Sequence, residues 1–234
     1  MTVPTLSTPV PAGFADRPAG LPDNLYLLPQ TKQLRALHSV VRNRAARRED
    51  FVFYAGRIIR MLVEAGLELL PFTEWHVPTP VGRTYPGLHF ASGLCGVAVA
   101  RAGESMEAGL REVCPGVRIG KILIQRDKVT KLPKFYYSAF PPDIADRHVL
   151  LLDPMLATGG TANAAIQVLL DAGVAEDRIV FIAFLAVPEG IEAVHRRYPA
   201  VKIVTSAVDE RLNENAYMMP GIGDFGDRYF GTDG

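Results

Sequence analysis

One stretch in the second half of the chain has the residue types of a phosphate-binding loop. VLLLDPMLATGGTANAAIQVLL (149–170) reads as an apolar strand ending at Asp153, a loop of small and hydroxyl-bearing residues, and a helix. Pro154 lacks an N–H donor and ends the strand. Gly159 and Gly160 let successive backbone N–H groups turn towards one point at the helix start, where an anion is favoured. The stretch predicts a cup for a phosphate monoester, with a carboxylate at its rim.

Three other interpretations of this stretch can be compared with its residues. A Walker A loop needs a lysine after its last glycine, and Thr161 stands there. A phosphatase with an aspartyl nucleophile needs a second acid two residues after Asp153, where Met155 stands. The third is a plain helix capped by Thr158 or Thr161. It stays open, although the glycine pair then weakens a helix without a packing reason.

Two arginines stand at the ends of further apolar runs. Arg101 follows GVAVA (96–100), and Arg126 follows KILIQ (121–125). Ligands of parallel sheets collect at the carboxyl ends of strands, so both guanidinium groups are candidates for binding an anion. Surface ion pairs are the alternative. These pairs are Arg101 with Glu104, Arg126 with Asp127, and Arg126 with Asp143.

The stretch PGIGDFGDRYFGTDG (220–234) contains glycines at the G-x-G-x-x-G spacing of dinucleotide loops. Its context is wrong for such a loop, because it follows a proline and has no acidic residue about 20 positions further on. A helix across Gly226, Asp227 and Gly231 is not expected, since glycine disfavours helix. We therefore expect a non-helical glycine loop with another purpose.

The remaining pattern indicates what positions these residues. Apolar spacing predicts two helices over 30–70, the second ended by Pro71. Short apolar runs then alternate with helical segments, which predicts a doubly wound, mostly parallel sheet flanked by helices. The strand runs are 96–100, 121–125, 149–153, 179–187 and 201–208, and the helical segments are 104–113, 160–173 and 189–198.

Three segments fall outside this alternation. Residues 126–147 are polar and proline-bearing, which predicts a protruding hairpin or mobile loop. Residues 1–24 contain five prolines and no signal-peptide pattern, so we expect a flexible tail before a single domain over 25–234. The glycine loop is expected to form a small C-terminal hood over the sheet.

Composition restricts the class of protein. Twenty-five basic and 25 acidic residues balance, which argues against a nucleic-acid partner. Cys95 and Cys114 are too few for a disulfide framework and fit a cytoplasmic setting. The absence of a long apolar run argues against a membrane span.

Three motifs together carry a resemblance to a known family. DPMLATGGT (153–161), RAGESM (101–106) and GIGDFGDRYFGT (221–232) resemble the phosphoribosyl-pyrophosphate, pyrophosphate and uracil loops of uracil phosphoribosyltransferases, which have the type I phosphoribosyltransferase fold. The resemblance covers about residues 30–232. It implies transfer of a phosphoribosyl group from phosphoribosyl pyrophosphate (PRPP) to N1 of uracil, giving UMP and pyrophosphate in pyrimidine salvage.

The resemblance also implies roles for individual residues. Asp153, Arg126 and Asp224 would be catalytic, and Pro154 replaces a second acid found in most type I members. The base would contact Met218, Gly223, Asp224 and Phe225, mostly through backbone; for Tyr217 and the Phe225 ring, stacking on the base and core packing stay open. The PRPP site would comprise Arg101, Arg126, Asp153, Pro154, Met155, Leu156, Ala157, Thr158, Gly159, Gly160, Thr161 and Asp224.

Further expectations concern cofactor, effector and assembly. Mg²⁺ would enter with the substrate and be held by its oxygens, without a protein metal cluster. The resemblance implies activation by GTP, as in many relatives, and Arg48 and Arg57 align with positions implicated in it. An equal alternative is that these two side chains lie on a solvated helix face. A homodimer or homotetramer is expected. The competing functions are a non-catalytic nucleotide sensor and a transferase for another base, and the intact motifs argue against both.

Overall fold

The structure is a computed structural model, and it describes residues 11–126 and 133–232. The helices are α1 (Lys32–Arg42), α2 (Arg48–Glu68), α3 (Glu107–Val113), α4 (Gly160–Asp171), α5 (Pro188–Arg197) and α6 (Phe225–Phe230). The strands are β1 (Leu25–Leu27), β2 (Phe72–Pro78), β3 (Thr84–Phe90), β4 (Leu94–Ala100), β5 (Arg118–Arg126), β6 (Pro133–Ala139), β7 (His148–Leu152), β8 (Met155–Leu156), β9 (Ile179–Ala183), β10 (Leu185–Ala186), β11 (Lys202–Thr205), β12 (Arg211–Leu212) and β13 (Met218–Met219).

The centre of the fold is a seven-stranded sheet in the order β1-β11-β9-β7-β4-β5-β6. Every neighbouring pair is parallel except β5 and β6, which are antiparallel. Each predicted apolar run contributes a strand to this sheet, and the run 179–187 is divided between β9 and β10. The prediction of a doubly wound, mostly parallel sheet is confirmed.

Helices cover both faces of the sheet, as the apolar strands require. Leu150 and Leu152 of β7 point into a core formed with α1, α2, α3 and α6. Val149 and Leu151, one residue out of phase, point into a second core formed with α4 and α5. Alternate side chains of one strand therefore pack into two different cores, because successive side chains of a strand point to opposite faces.

The two N-terminal helices confirm the periodicity over 30–70. Thr31 caps α1, and its hydroxyl accepts a hydrogen bond of 3.1 Å from the Leu34 backbone N–H. α2 ends at Glu68, three residues before Pro71. Its buried face holds Ile58, Ile59, Leu62 and Val63 against the sheet.

The antiparallel hairpin β2–β3 was not predicted. Its two strands pair from Phe72 with Phe90 to Pro78 with Thr84, and most of their side chains are exposed, including Trp75. A strand pair without a buried face has no alternation of apolar and polar residues, so periodicity does not detect it. The predicted hairpin at 126–147 is present as β6 paired with β5; its tip, residues 127–132, lies outside the described residues.

Near the N-terminus, the described part of the chain contacts the sheet edge. The Ala15 backbone N–H donates to the Leu27 carbonyl at 2.8 Å, and the Phe14 ring packs against Tyr26. Residues 1–10 lie outside the described residues, so the flexible tail over 1–24 and the domain boundary at 25 stay predictions. In the described ranges, no helix is long and apolar enough to cross a membrane.

The expectation of a non-helical C-terminal loop was wrong in its second half. α6 forms from Phe225 to Phe230, across Gly226. Asp224 caps it by accepting a hydrogen bond of 2.8 Å from the Asp227 N–H, and Gly231 ends it with φ 72°. The helix forms despite its glycine because the buried Phe225 anchors it, and tertiary packing outweighs propensity.

Candidate active site

The predicted phosphate loop begins at the centre of the sheet. Asp153, 9% exposed, follows β7 directly, and its backbone N–H donates to the Ile182 carbonyl at 3.3 Å. The Pro154 carbonyl accepts from the N–H groups of Phe184 and Leu185 at 2.9 and 3.0 Å. β8 then pairs in parallel with β10, outside the main sheet. The start of the loop is therefore held rigidly by neighbouring backbone.

The loop closes into a small cup at the start of α4. Residues 155–162 surround a cavity of about 20 Å³. Gly159 has φ +77° and stands immediately before the helix, which has no side-chain N-cap. Gly159 holds the N-cap position, so neither Thr158 nor Thr161 is the N-cap residue, although the Thr158 hydroxyl accepts a hydrogen bond of 3.4 Å from the Gly160 N–H. The N–H groups of this first turn lie at the positive end of the helix dipole, which suits an anion.

A contact with α5 supports the cup from behind. A Cβ atom on Gly190 would lie 2.6 Å from the Leu156 carbonyl oxygen and still closer to that of Ala157. One on Gly159 would lie 2.8 Å from the Cβ of Ala193. The helix and the loop thus pack backbone to backbone. Sequence reasoning missed Gly190, although a glycine within a helical pattern signals a close approach.

A larger cavity of about 370 Å³ adjoins the cup. Met155 and Ala157 line both spaces, so the two are contiguous. The four predicted base-contacting residues all lie in the wall of the larger cavity. Its lining comprises Ala102, Met155, Ala157, Asn215, Ala216, Tyr217, Met218, Gly223, Asp224, Phe225 and Gly226.

The two aromatic residues in this wall differ in exposure. The Phe225 ring is 1% exposed and packs against Phe51, Phe184 and Tyr229, with ring centroids 5.1–5.9 Å apart. Core packing therefore accounts for that ring, although Phe225 also lines the cavity. Tyr217 is 52% exposed, so the core alternative is wrong for Tyr217.

Arg101 connects the RAGESM segment to the C-terminal hood, which we define as residues 209–232. Its guanidinium lies 2.6 Å from an Asp227 carboxylate oxygen and donates to the Thr232 hydroxyl at 2.8 Å. The Thr232 hydroxyl and Arg101 together hold the pKa of Asp227 below its usual value. The alternative of an Arg101–Glu104 pair is wrong, since Glu104 binds Lys121 at 2.6 Å. Arg101 precedes Ala102, which lines the cavity, and its own carboxylate partner is Asp227 of the hood.

The other predicted cations belong to β5 and α2. The backbone of Arg126 ends β5, and its side chain lies outside the described residues. Asp143, one suggested partner, pairs with Arg118 and Arg147 at 2.8 and 2.6 Å. On α2, Arg48 donates to the Tyr229 carbonyl at 2.9 Å. Arg57 is half-buried on the same helix, so GTP binding by these two residues stays a prediction.

Few carboxylates of the site could contact a metal ion. Asp224 lines the larger cavity and Asp153 precedes the cup, and both carry the hard oxygen donors that suit Mg²⁺. Within residues 11–126 and 133–232, no group of three or more histidine, cysteine or acidic side chains could hold an ion. The donor set fits an ion that arrives with most of its ligands.

Comparison with known proteins decides the family. The model of the uracil phosphoribosyltransferase family matches residues 28–232. The chain belongs to the uracil phosphoribosyltransferase family. It is a pentosyl transferase that forms UMP and pyrophosphate from uracil and PRPP.

Individual relatives agree with this family. A uracil phosphoribosyltransferase from Dictyostelium discoideum is 57% identical over 91% of this chain and 98% of its own length. One from Saccharomyces cerevisiae is 54% identical over 88% of this chain and 96% of its own length. The solved structure of the AQ2163 protein from Aquifex aeolicus is 29% identical with a TM-score of 0.77, covering 88% of this chain and 97% of that one.

Proposed function

We propose that the cup binds the phosphate end of the transferred phosphoribosyl group and that the adjoining cavity binds the acceptor base. The 5′-phosphate of PRPP binds the backbone of 157–161, and uracil binds the larger cavity. The observation that carries this is the shared wall of Met155 and Ala157, which leaves the ribose to span the two spaces. Reacting atoms held in this way need no diffusional encounter, which favours the reaction.

The reaction breaks one bond and forms another at C1 of the ribose. The bond from C1 to a pyrophosphate oxygen breaks as N1 of uracil bonds to C1, and N1 loses its proton. Positive charge develops on the ribose in the transition state. Asp153 accepts hydrogen bonds from ribose hydroxyls, and Asp224 supplies the contact that Pro154 cannot make. Both carboxylates thereby stabilise the developing charge.

Arg101 and Arg126 bind the leaving pyrophosphate. Arg101 precedes Ala102 of the cavity wall, and on binding it exchanges Asp227 and Thr232 for phosphate oxygens. Arg126 is the last residue of β5, which pairs with β4, the strand that leads to Arg101. When bound with the substrate, Mg²⁺ neutralises pyrophosphate charge. The ion would be held mainly by substrate oxygens, and Asp153 and Asp224 are the site carboxylates that would contact its waters.

The base is recognised mainly by backbone groups. Uracil presents O4, N3–H and O2 along one edge, an acceptor–donor–acceptor pattern. Met218, Gly223, Asp224 and Phe225 line the cavity, and in the proposal their backbone groups complement that edge. Cytosine would place its amino donor against a backbone donor, which leaves buried groups unpaired and excludes it. Tyr217 borders the same space and would stack on the ring.

The wider setting follows the family. We propose a cytoplasmic enzyme that assembles as a homodimer or homotetramer and is activated by GTP at Arg48 and Arg57, without a nucleic-acid partner. Cys95 and Cys114 are free thiols, which supports a reducing compartment. Light scattering measures the assembly, and UMP formation with and without GTP measures the activation.

The assay that tests the proposal measures UMP formed from uracil, PRPP and Mg²⁺ by the purified protein. Absence of turnover, with and without GTP, would contradict it. Asp153→Asn is expected to lower kcat by about a hundredfold, because the ribose hydroxyls lose a charged acceptor. Asp171→Asn, on the exposed end of α4, serves as the matched control and keeps full activity. Full activity of the Asp153 variant would refute its ribose role.

A further inference from the structure

A buried ion pair holds the hood at a point that neither motif analysis nor the proposed mechanism uses. Arg42, at the end of α1, makes two bonds to the Asp209 carboxylate, at 2.7 and 3.1 Å. The Asp209 side chain is 3% exposed and that of Arg42 is 23% exposed. Charged groups this deep are costly unless each is paired and hydrogen-bonded, so the geometry of the pair is tightly determined.

The pair binds both backbone polar groups of Gly221, in the segment 218–225 that we call the base loop. The Gly221 N–H donates to Asp209 Oδ2 at 2.9 Å, and its carbonyl accepts from Arg42 at 3.1 Å. Gly221 has φ +68°, and a Cβ there would overlap the carbonyl of Met218. It lies three residues after Met218 and two before Gly223, between two stretches of the cavity wall.

A second arginine fixes the next residue to the same helix end. Arg228 donates to the Ile222 carbonyl at 2.8 Å and to the carbonyls of Val41 and Asn43 at 2.6 and 2.9 Å. Two guanidinium groups next to the carboxyl end of α1 thus bind consecutive carbonyls of the base loop. Arg42 binds that of Gly221, and Arg228, from α6, binds that of Ile222. The loop is fixed to α1 rather than left to its own turns.

Asp209 also connects the loop to the phosphate half of the site. Its backbone N–H donates to the Ala186 carbonyl at 2.8 Å, and Ala186 pairs with Leu156 in β8–β10. Leu156 belongs to the wall of the cup. One residue therefore sets the position of the base loop relative to the phosphate loop.

We propose that Arg42 and Asp209 are positioning residues that set uracil affinity and the selectivity for uracil over cytosine. They do not line the cavity. They act by holding Gly221, so that the backbone donors and acceptors of 218 and 223–225 meet the base edge. A backbone that recognises a base is only as selective as its placement, because a small shift lets a wrong donor or acceptor find water or a new partner. The inference rests on the base subsite in the proposed function.

Two conservative variants test this role in the full-length protein. Arg42→Lys keeps the charge and loses the planar fork that reaches Asp209 and Gly221 together. Asp209→Asn keeps the shape and loses the charge. In each, KM for uracil is expected to rise about tenfold or more, with KM for PRPP within about twofold, and the uracil-to-cytosine ratio of kcat/KM to fall. Steady-state kinetics with both bases gives these values.

Arg147→Lys is the matched control. Arg147 makes a comparable forked pair with Asp143, at 2.9 and 2.6 Å, away from both cavities of the site. It is expected to leave both KM values and the base selectivity unchanged. The proposal is overturned if uracil KM stays within about twofold in both test variants. It is overturned equally if uracil and PRPP KM rise together, since that reports general loosening rather than positioning.

A third variant separates this inference from the base subsite itself. Gly223→Ala places a side chain at φ +77° in the cavity wall and is expected to raise uracil KM. If it does not, the assignment of the base subsite fails, and the positioning role fails with it. If Gly223→Ala raises uracil KM while the Arg42 and Asp209 variants do not, the subsite stands and only the positioning role is refuted.

Discussion

At the scale of single residues, the shape of the site depends on glycines at positions where a side chain would clash with neighbouring atoms. Gly190 lies against the Leu156 and Ala157 carbonyls, and Gly159 lies against Ala193. Such contacts make the shape of the cup depend on α5, which supplies no ligand to the phosphate. The sequence motif locates the ligands, whereas these glycines determine where the ligands are held.

Gly190→Ala tests this dependence. The added methyl would overlap two carbonyl oxygens and must displace the phosphate loop, so KM for PRPP is expected to rise about tenfold, with about 1–3 kcal/mol lost from the free energy of unfolding. The control is Gly56→Ala in α2, where the nearest atom is an Arg60 nitrogen at 3.9 Å. It is expected to keep activity and to stabilise by up to about 1 kcal/mol. An unchanged PRPP KM in the Gly190 variant would contradict the close packing.

At the scale of elements, α1 carries a buried histidine beside the ion pair that holds the base loop. The Ser206 hydroxyl donates to the Phe184 carbonyl, so its oxygen accepts from His38 Nε2, 3.0 Å away. Nε2 of His38 therefore carries a proton, and its Nδ1 has no partner among the described residues. Burial first, and Arg42 second, lower the pKa of His38 to about 4, while Asp209 opposes this change.

A pH dependence of stability follows from this histidine. The unfolded chain binds a proton at His38 between pH 6.5 and about 4, and the folded chain does not. The contribution of His38 to the free energy of unfolding is therefore fully present above pH 6.5. It is lost as the pH falls towards 4, which lowers the free energy of unfolding by about 3 kcal/mol. Chemical denaturation at a series of pH values measures this slope.

The matching variant is His38→Gln, which keeps an N–H donor for Ser206 and cannot titrate. Its stability is expected to fall less between pH 6.5 and 4 than that of the parent. Because burial also lowers the pKa of His148, a residual slope in the same direction remains in the variant. Identical slopes in parent and variant would show that His38 does not carry this dependence.

At the scale of the whole molecule, substrate binding joins parts that are far apart in sequence. In the proposed site, PRPP contacts strand ends from three regions, around residues 101, 126 and 153, and the hood lines the adjoining cavity from a fourth. A ligand that binds only the folded chain stabilises all of these parts together.

This predicts a thermal shift. PRPP with Mg²⁺ at about 100 times its Kd should add about 2.7 kcal/mol, which raises the Tm by about 5–10 °C for a chain of this size. Removal of Mg²⁺ with a chelator is expected to cancel most of the shift, since the metal then no longer neutralises the pyrophosphate. A scanning fluorimetry series with and without chelator measures both effects. A shift that survives the chelator would contradict the role given to Mg²⁺.

The sequence by itself determined the sheet, its flanking helices and the phosphate loop, because each is specified locally. Apolar runs such as 149–152 must be covered on both faces, and a strand followed by Asp153 and two glycines fits few structures. The three motifs in order also gave the family. The exposed β2–β3 hairpin escaped this reasoning, since a strand pair without a buried face has no pattern to detect.

The tertiary structure alone decided how these parts are held together. The short helix α6 forms because Phe225 is buried against Phe51 and Phe184, although local propensity disfavours it. Arg42 meets Asp209, 167 residues away in the chain, and no spacing rule relates them. Contacts between distant segments depend on the packing of the whole chain, so local sequence names the groups that perform the chemistry, and the fold determines the geometry in which they act.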